Sequence, residues 1–431
     1  MAGAVSGARV GGVPKRFIVM CMCFVAVFIC YIDRVNISVA IIPMADQYHW
    51  SGTTKGWVLS SFFIGYLAGM VPAGWLANRY GGKRVMAVAL VGWSCFTLLT
   101  PIAAGLSFTT LIFVRIAMGL GEAGSFPSTF NLFARWIPLS ERSRASAINL
   151  TGIPLGTIFA LSTTGWLIVH YGWPSVFYAF GALGLIFAIF WAWLIHANPA
   201  VHPTISDRER ALLAPLAISE THSKTPVPWG LLLSHKAVWA IIINHFCANW
   251  TLYLMLSWLP SYFRDTLHLS VTNSGLFSIL PWICQFAIGN FAAHVADRMI
   301  AGGANVTRVR KIMQCSGLIG AAISLLAASQ ATTPGFALFT ICAALGLGAM
   351  CWAGFYANYL DVAPEHSDIL YGIGNIGGTI PGALGAVITG WLLDVTGGYT
   401  ATFVLAAAIS AFGALVWVAW GTGERITDVP Q

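Results

Sequence analysis

Residues 17–42 read FIVMCMCFVAVFICYIDRVNISVAII, an apolar run broken near its middle by Asp33 and Arg34. About 20 apolar residues in a helix cross the hydrocarbon core of a bilayer, so the run is long enough to span one. An ion at mid-bilayer costs roughly 2.5–3.5 kcal/mol even on the lenient insertion scale. Two adjacent ions in a span therefore mean either that the segment does not cross a membrane or that the pair has a task there.

The rest of the chain decides for a membrane. Apolar types make up 57% of the 431 residues and charged types 9%, against roughly 25% charged in an ordinary soluble domain. Such a chain cannot cover a water-facing surface, which excludes a disordered tail, a secreted disulfide scaffold and a DNA-binding module. The 18 Trp, 26 Phe and 45 Gly fit membrane helices, where aromatics sit at headgroup level and glycines are common within spans. Working outward from 17–42, further apolar stretches lie near 56–77, 85–104, 108–134, 145–169, 173–195, 237–262, 272–295, 312–331, 336–360, 371–393 and 400–420. The fold class predicted is an all-α membrane protein with twelve transmembrane helices.

A net charge of +7 and a pI near 9.0 would suit nucleic acid, so the positions of the charges decide what they mean. With the N-terminus inside, the inner segments hold Arg9, Lys15, Arg16, Arg79, Lys83, Arg84, Arg135, Arg142, Arg144, Arg208, Arg210, Lys224, Lys236, Arg298, Arg308, Arg310, Lys311 and Arg425. Only Lys55 and Arg264 fall outside, and Arg34 and Arg115 lie within spans. This is the positive-inside pattern with both termini cytoplasmic; it reports topology and no nucleic-acid partner. Cys21, Cys23, Cys30, Cys95, Cys247, Cys284, Cys315, Cys342 and Cys351 all fall in spans, where free Cys behaves as a small hydrophobe, and no metal spacing is present. Lys15-Arg16 before an apolar run imitates a signal peptide, but the run exceeds an h-region and lacks a small-residue cleavage site. It reads as a retained first span.

The one long polar segment, about 196–236, divides the spans six and six. The domains expected are a six-helix bundle over 1–195, a cytoplasmic linker over 196–236 and a second bundle over 237–431. Thr164-Gly-Trp-Leu167 recurs as Thr389-Gly-Trp-Leu392, 225 residues on. A duplicated bundle with its axis along the membrane normal is the architecture of secondary transporters, which hold their site between the halves.

Four ionisable residues lie well inside spans: Asp33 and Arg34 in the first, Arg115 and Glu122 in the fourth. Helical spacing puts Tyr31, Arg34 and Ser38 on one stripe with Asp33 pointing elsewhere, and Arg115 and Glu122 on one face two turns apart with Gly119 between them. Gly121, Gly124 and Pro127 let the fourth span pack closely and bend. A guanidinium stays charged and offers a bidentate fork, so Arg34 is the candidate anchor for a carboxylate or phosphate. Asp33 and Glu122 are candidate proton carriers, because desolvation moves a carboxyl towards the working pH range. The bland alternative is two intramembrane salt bridges, and for Arg115 both readings stay open. Tyr66 can offer a hydroxyl to a cavity or simply pack. Asn358 and Asn375, the latter in Gly372-Ile-Gly-Asn-Ile-Gly-Gly378, are candidate substrate contacts. Asn244 and Asn249 share span seven with His245, which reads as a satisfied core histidine, and Asp361 and Asp394 read as span-end groups reaching water.

The segment Gly74…Asn78-Arg79…Gly81-Gly82-Lys83-Arg84 resembles the signature between spans two and three of the major facilitator superfamily, a gating loop, with Asn78 where Asp is usual. Tyr31-Ile-Asp-Arg-Val-Asn-Ile-Ser38, Arg115-Ile-Ala-Met-Gly-Leu-Gly-Glu-Ala-Gly-Ser-Phe-Pro127, Asn244-His-Phe-Cys-Ala-Asn-Trp-Thr-Leu-Tyr253, Ser257-Trp-Leu-Pro-Ser-Tyr-Phe263, Gly275-Leu-Phe-Ser-Ile-Leu-Pro-Trp282 and Val309-Arg-Lys-Ile-Met-Gln314 are similar to its anion:cation symporter branch. That branch includes vesicular glutamate, lysosomal sialic acid and plastid phosphate transporters and bacterial sugar-acid permeases. The resemblance covers nearly the whole chain; its second half looks closest to the plastid members. It implies the major facilitator fold, with two pseudo-symmetric six-helix bundles. By position it makes Arg34 the substrate anchor, Glu122 the proton-coupling carboxylate, Asp33 a second titratable group with Arg115 as partner, and Tyr31, Tyr66 and Asn375 substrate contacts. Ala248 and Leu59 replace an arginine and a histidine of the vesicular glutamate transporters, which argues against that substrate. The short leader before the first span, about 16 residues, argues for a bacterial inner membrane over a plastid.

The function expected is proton-coupled symport of a sugar acid or other organic anion by alternating access. A proton on Glu122 or Asp33 would free Arg34 for the anion. Proton- or sodium-coupled phosphate transport is the nearest rival, and an uncoupled facilitator or channel is the rival of another class. No cofactor, no metal and no enzyme signature is expected. The expected partners are the anion, protons and the bilayer, and the expected state is a monomer.

Overall fold

The computed structural model describes residues 13–219 and 229–426. Arg9, Lys224 and the Thr225-Pro-Val-Pro228 stretch of the linker lie outside the described residues. Apolar runs fold as helices in lipid because only a helix satisfies every backbone polar group within its own segment. The helices are α1 (Lys15–Tyr48), α2 (Gly52–Tyr80), α3 (Gly82–Leu106), α4 (Phe108–Glu122), α5 (Ser125–Trp136), α6 (Leu139–Tyr171), α7 (Pro174–Leu194), α8 (Asp207–Ser219), α9 (Trp229–Ser234), α10 (Lys236–Leu267), α11 (Val271–Phe277), α12 (Ile279–Ala301), α13 (Val306–Ala328), α14 (Pro334–Gly348), α15 (Phe355–Val362), α16 (Ser367–Thr396) and α17 (Thr400–Trp420).

Eleven of the twelve expected spans are helical segments long and apolar enough to cross a membrane. The remaining one, span four, is interrupted at Ala123-Gly124, where α4 gives way to α5. The tenth span is likewise interrupted, between α14 and α15. A break at depth is tolerated only where it is buried in protein or lines a cavity, so both interruptions mark the interior.

Packing repeats between the halves. In the first, α1 lies on α6, α2 on α4, α3 on α4 and α3 on α7; in the second, α10 lies on α16, α12 on α14, α13 on α14 and α13 on α17. Each pair has its counterpart six spans along, which is the major facilitator architecture. Between the halves the main contacts are α2 with α16 and α6 with α11.

One sequence expectation changes here. The expected gating loop is almost entirely helical: Gly74, Asn78 and Arg79 belong to the end of α2, and Lys83 and Arg84 to the first turn of α3. Only Gly81 intervenes, at φ +84°, a conformation glycine adopts without steric cost. Its neighbour Gly82 sits where a side chain would strike the Ser128 backbone, and donates its N–H to Asn131 Oδ1 at 2.7 Å. Asp394 is exposed, as a group reaching water should be, and also ties down the start of α2: it accepts from Gly52 N at 2.7 Å, Thr53 N at 2.8 Å and Thr53 Oγ1 at 2.5 Å.

Candidate substrate and proton site

Arg34 and Glu122 meet in the middle of the first half. The Nε of Arg34 donates to Glu122 Oε1 at 2.8 Å and its Nη2 closes on the same oxygen. Glu122 Oε2 is buried with no partner. Three aromatic rings enclose the guanidinium: Tyr31 at 4.7 Å, Phe62 at 5.1 Å and Tyr66 at 4.7 Å. Tyr31 also accepts from Nη1 through its hydroxyl at 3.5 Å. The cation thus has one carboxylate and a ring of aromatic faces, the setting in which a cation–π contact gains most from desolvation. Arg34 is 5% exposed and lies among α1, α2 and α4, away from lipid.

Asp33 points to the other side of α1, as its spacing requires. It is fully buried, and neither carboxylate oxygen has a hydrogen-bond partner; the groups acting on it are Glu122, Trp93 and Arg115. No ion pair joins it to Arg115. The Arg115 guanidinium instead rests on the Phe62 ring at 5.5 Å and donates Nη1 to the Met118 sulfur at 3.2 Å. α4 can bring Arg115 and Glu122 this close to α2 because Gly119 abuts the Phe62 carbonyl, where a Cβ would collide.

Of the other candidates, Tyr31 and Tyr66 join Arg34. Asn375 lies half-buried on α16. Asn358 is placed elsewhere: its amide donates to Thr422 O at 2.9 Å and to Asp361 Oδ2 at 3.3 Å. Asp361 is itself held by Arg310, Nε to Oδ2 at 2.6 Å. This cluster at the end of the tenth span accounts for Asp361, which the sequence assigns to water. His245 is a satisfied core residue, its Nδ1 3.0 Å from the Tyr359 hydroxyl.

The family model of the Major Facilitator Superfamily matches residues 23–385. The chain belongs to the major facilitator superfamily. It is 39% identical over 416 residues to the chloroplastic ascorbate transporter of Arabidopsis thaliana, covering 96% of this chain and 76% of that one. It is 38% identical to the chloroplastic sodium-dependent phosphate transport protein 1 of the same plant (96% and 81% covered). To human sialin it is 33% identical (95% and 90% covered). A solved structure of the xylose transporter XylE from E. coli superposes with a TM-score of 0.74 at 14% identity, over 94% of this chain and 96% of that one. A bacterial homologue of the human lysosomal transporter Spinster gives a TM-score of 0.75 at 17% identity (95% and 97% covered). The protein is a multi-pass membrane transporter of this superfamily.

As in any two-bundle transporter, the contacts between halves say which face is shut. Among them are Asp46–Arg264, Lys55–Asp265, Gly52 and Thr53 with Asp394, Ser60 with Ala383, Gly165 with Thr272, Phe63 with Tyr253 and Met70 with Thr379. All but the Met70–Thr379 contact, which sits at about mid-depth, lie between the middle of the bundle and the face opposite the termini. Immediately on that side of Arg34, residues Ile37, Ser38, Leu59, Phe62, Leu256 and Ser257 leave a cavity of about 10 Å³, enough for about one water. The structure is closed at the face opposite the chain termini.

The sequence reading misses Tyr253. This span-seven tyrosine packs on Phe63 with centroids 4.7 Å apart, and Arg34, Thr379 and Glu122 are the groups acting on its phenol. Its one sequence signal is its place in the branch-like stretch Asn244–Tyr253.

Proposed function

We propose that this transporter moves a small organic anion together with protons, with Arg34 as the carboxylate anchor and Glu122 as the coupling group. The observation that carries this reading is that Arg34 and Glu122 hold each other. An incoming carboxylate and Glu122 compete for one guanidinium. Removing one partner of a buried pair leaves an uncompensated charge costing about 3–5 kcal/mol. Exchange is cheap only if Glu122 takes a proton, at Oε2 where the oxygen is free, as the anion takes its place. Arg34 then faces one negative charge before and after, and proton and anion favour each other's binding by the same factor.

Asp33 serves as a second proton carrier and Arg115 tunes both acids through charge. Tyr31, Tyr66, Tyr253 and Asn375 line the anion's path, while Asn358 holds the tenth span in shape. Alternating access follows from opening the Asp394, Arg264 and Lys55 contacts while the opposite ends of α5 and α15 approach. In this reading the basic helix ends face the cytoplasm, as the positive-inside rule favours, the membrane is a bacterial inner membrane, and the chain works as a monomer.

The test is uptake of labelled galactonate into proteoliposomes under an imposed pH gradient. Accumulation that follows the gradient in wild type and is lost in Glu122→Gln supports the reading; equal uphill accumulation in the variant ends it. A second reading, sodium-coupled phosphate transport, draws on the relative named for that activity, and labelled phosphate with a sodium gradient in the same vesicles separates the two. Counterflow that ignores both gradients would mark an uncoupled facilitator.

A further inference from the structure

We infer that the second half supplies an uncharged wall of the same site, the Tyr356–Tyr371 pair backed by His245 and Tyr359, which reads the hydroxyl-bearing body of the anion. This rests on the organic-anion reading above and names the part of the substrate that Arg34 does not hold.

The two halves differ in charge where they face each other. The first places Asp33, Arg34, Arg115 and Glu122 at depth. In the second, residues 237–263, 334–360 and 369–393 contain no Lys, Arg, Asp or Glu. What they contain at the tenth-span break is a nest of rings. Tyr356 and Tyr371 lie edge to face at 5.5 Å with their hydroxyls 3.4 Å apart. Behind them, Tyr359 stands 5.5 Å from Tyr371 and bonds to His245, which packs on Phe355 at 4.9 Å.

The backing is rigid. Gly374 and Gly378 of α16 leave no Cβ, so the Tyr359 hydroxyl and the His245 ring press directly on the helix backbone. The break itself is pinned by Gln314, which accepts from Phe355 N at 3.1 Å and donates to Asn244 at 2.8 Å. His245 and Tyr359 are buried, at 4% and 3% exposure, yet Tyr356 keeps 39% of its surface open although four rings surround it. Tyr371 belongs to α16 and His245 to α10, the helices of the second half that pack on α2 and α1 of the first, and Asn375 follows one turn along α16.

A phenol both donates and accepts, and supplies no charge. Such a wall suits a ligand with its charge at one end and hydroxyls along its length. It gives a multiply charged, compact anion such as phosphate no second cation, and burying an unpaired charge is costly. Hydrogen-bonding sites discriminate strongly between a ligand hydroxyl and its absence, because the site's own groups are left unpaired.

The experiment compares galactonate with hexanoate, which has the same chain length and charge but no hydroxyls, and with inorganic phosphate. Affinities come from ligand-induced thermal stabilisation and from competition with labelled galactonate, using full-length wild type, Tyr371→Phe and Tyr356→Phe. Wild type should prefer galactonate. Each variant should lose roughly 2- to 10-fold of galactonate affinity, the worth of one neutral hydrogen bond, with hexanoate unchanged. Loss of affinity for both carboxylates alike, no loss in either variant, or equal wild-type affinity for the two carboxylates overturns the inference while leaving Arg34-dependent organic-anion binding standing. Binding of phosphate with no binding of either carboxylate overturns the organic-anion reading itself.

Discussion

Glu122 gives Arg34 one carboxylate oxygen, Oε1, and keeps the other, Oε2, buried and unclaimed. A pair made through a single oxygen leaves the second free to take a proton without first breaking the ion pair. Glu122→Gln keeps the shape and fixes the neutral form. It should therefore abolish proton-driven accumulation of galactonate while retaining at least the wild-type rate of galactonate counterflow, since Arg34 no longer has a carboxylate to shed. Transport in vesicles with and without a pH gradient checks both halves of this expectation.

Arg34→Lys tests the fork. The guanidinium offers Nε and an Nη to one oxygen while lying on three rings; an ammonium keeps the charge and loses the planar geometry. The loss of one charge-assisted hydrogen bond, about 1.5–3 kcal/mol, should weaken galactonate binding on the order of 10- to 100-fold. Thermal-shift titration measures it, and an affinity within twofold of wild type would contradict the anchor.

The tie between Asp394 and the start of α2 exists only while the face opposite the termini is shut. Losing a helix cap costs about 0.5–2 kcal/mol, so Asp394→Ala should lower the closed population relative to the open one by roughly 2- to 30-fold. Hydrogen exchange at the amides of Gly52 and Thr53, both bonded to Asp394, should rise accordingly, while that of α3 stays unchanged.

His202 lies in the segment joining α7 to α8, with its ring 4.4 Å from His196 and 5.7 Å from Trp136. Burial, then the neighbouring His196 and Lys15, push its pKa below the ordinary 6.5, against the opposing carboxylate of Glu209. A base whose folded-state value is depressed stabilises the fold while neutral, and that stability is lost as pH falls below its unfolded value. The affected contact anchors the linker, because Glu209 accepts from the backbone N–H of Lys15 at 2.9 Å and of Arg16 at 3.0 Å. Wild type should lose more thermal stability than His202→Gln between about pH 7.5 and 5.5. Parallel losses would exclude His202 as the cause.

Much of this was legible before any coordinates. Twenty apolar residues are a strong signal, and the twelve spans and their duplication follow from it. Gly121, Gly124 and Pro127 foreshadowed the break in span four, although its position at Ala123-Gly124 depends on tertiary packing. Contacts between distant parts of the chain were not legible. Asp394 finds its partner 342 residues away, and no local pattern shows that a group facing water also caps a helix. Tyr253 looks like any aromatic in an apolar span until α10 sets it against Phe63 of the first half. Asn358 shows the converse: an amide at depth serves structure as readily as ligand, and here Asp361 and Thr422 use it. The gating loop was misread because its polar residues suggest a turn, while one glycine at positive φ lets two helices abut.

Asp33, sealed inside the first bundle with both oxygens unclaimed, determines what an electrode would record. If only Glu122 is loaded with each monovalent anion, the cycle carries no net charge and its rate ignores membrane voltage. If Asp33 is loaded as well, one positive charge crosses per turnover, and 100 mV adds about 2.3 kcal/mol of driving force. Galactonate-evoked current in wild type that vanishes in Asp33→Asn would assign the second proton to this carboxyl, and electrical silence in wild type would leave Glu122 as the sole carrier.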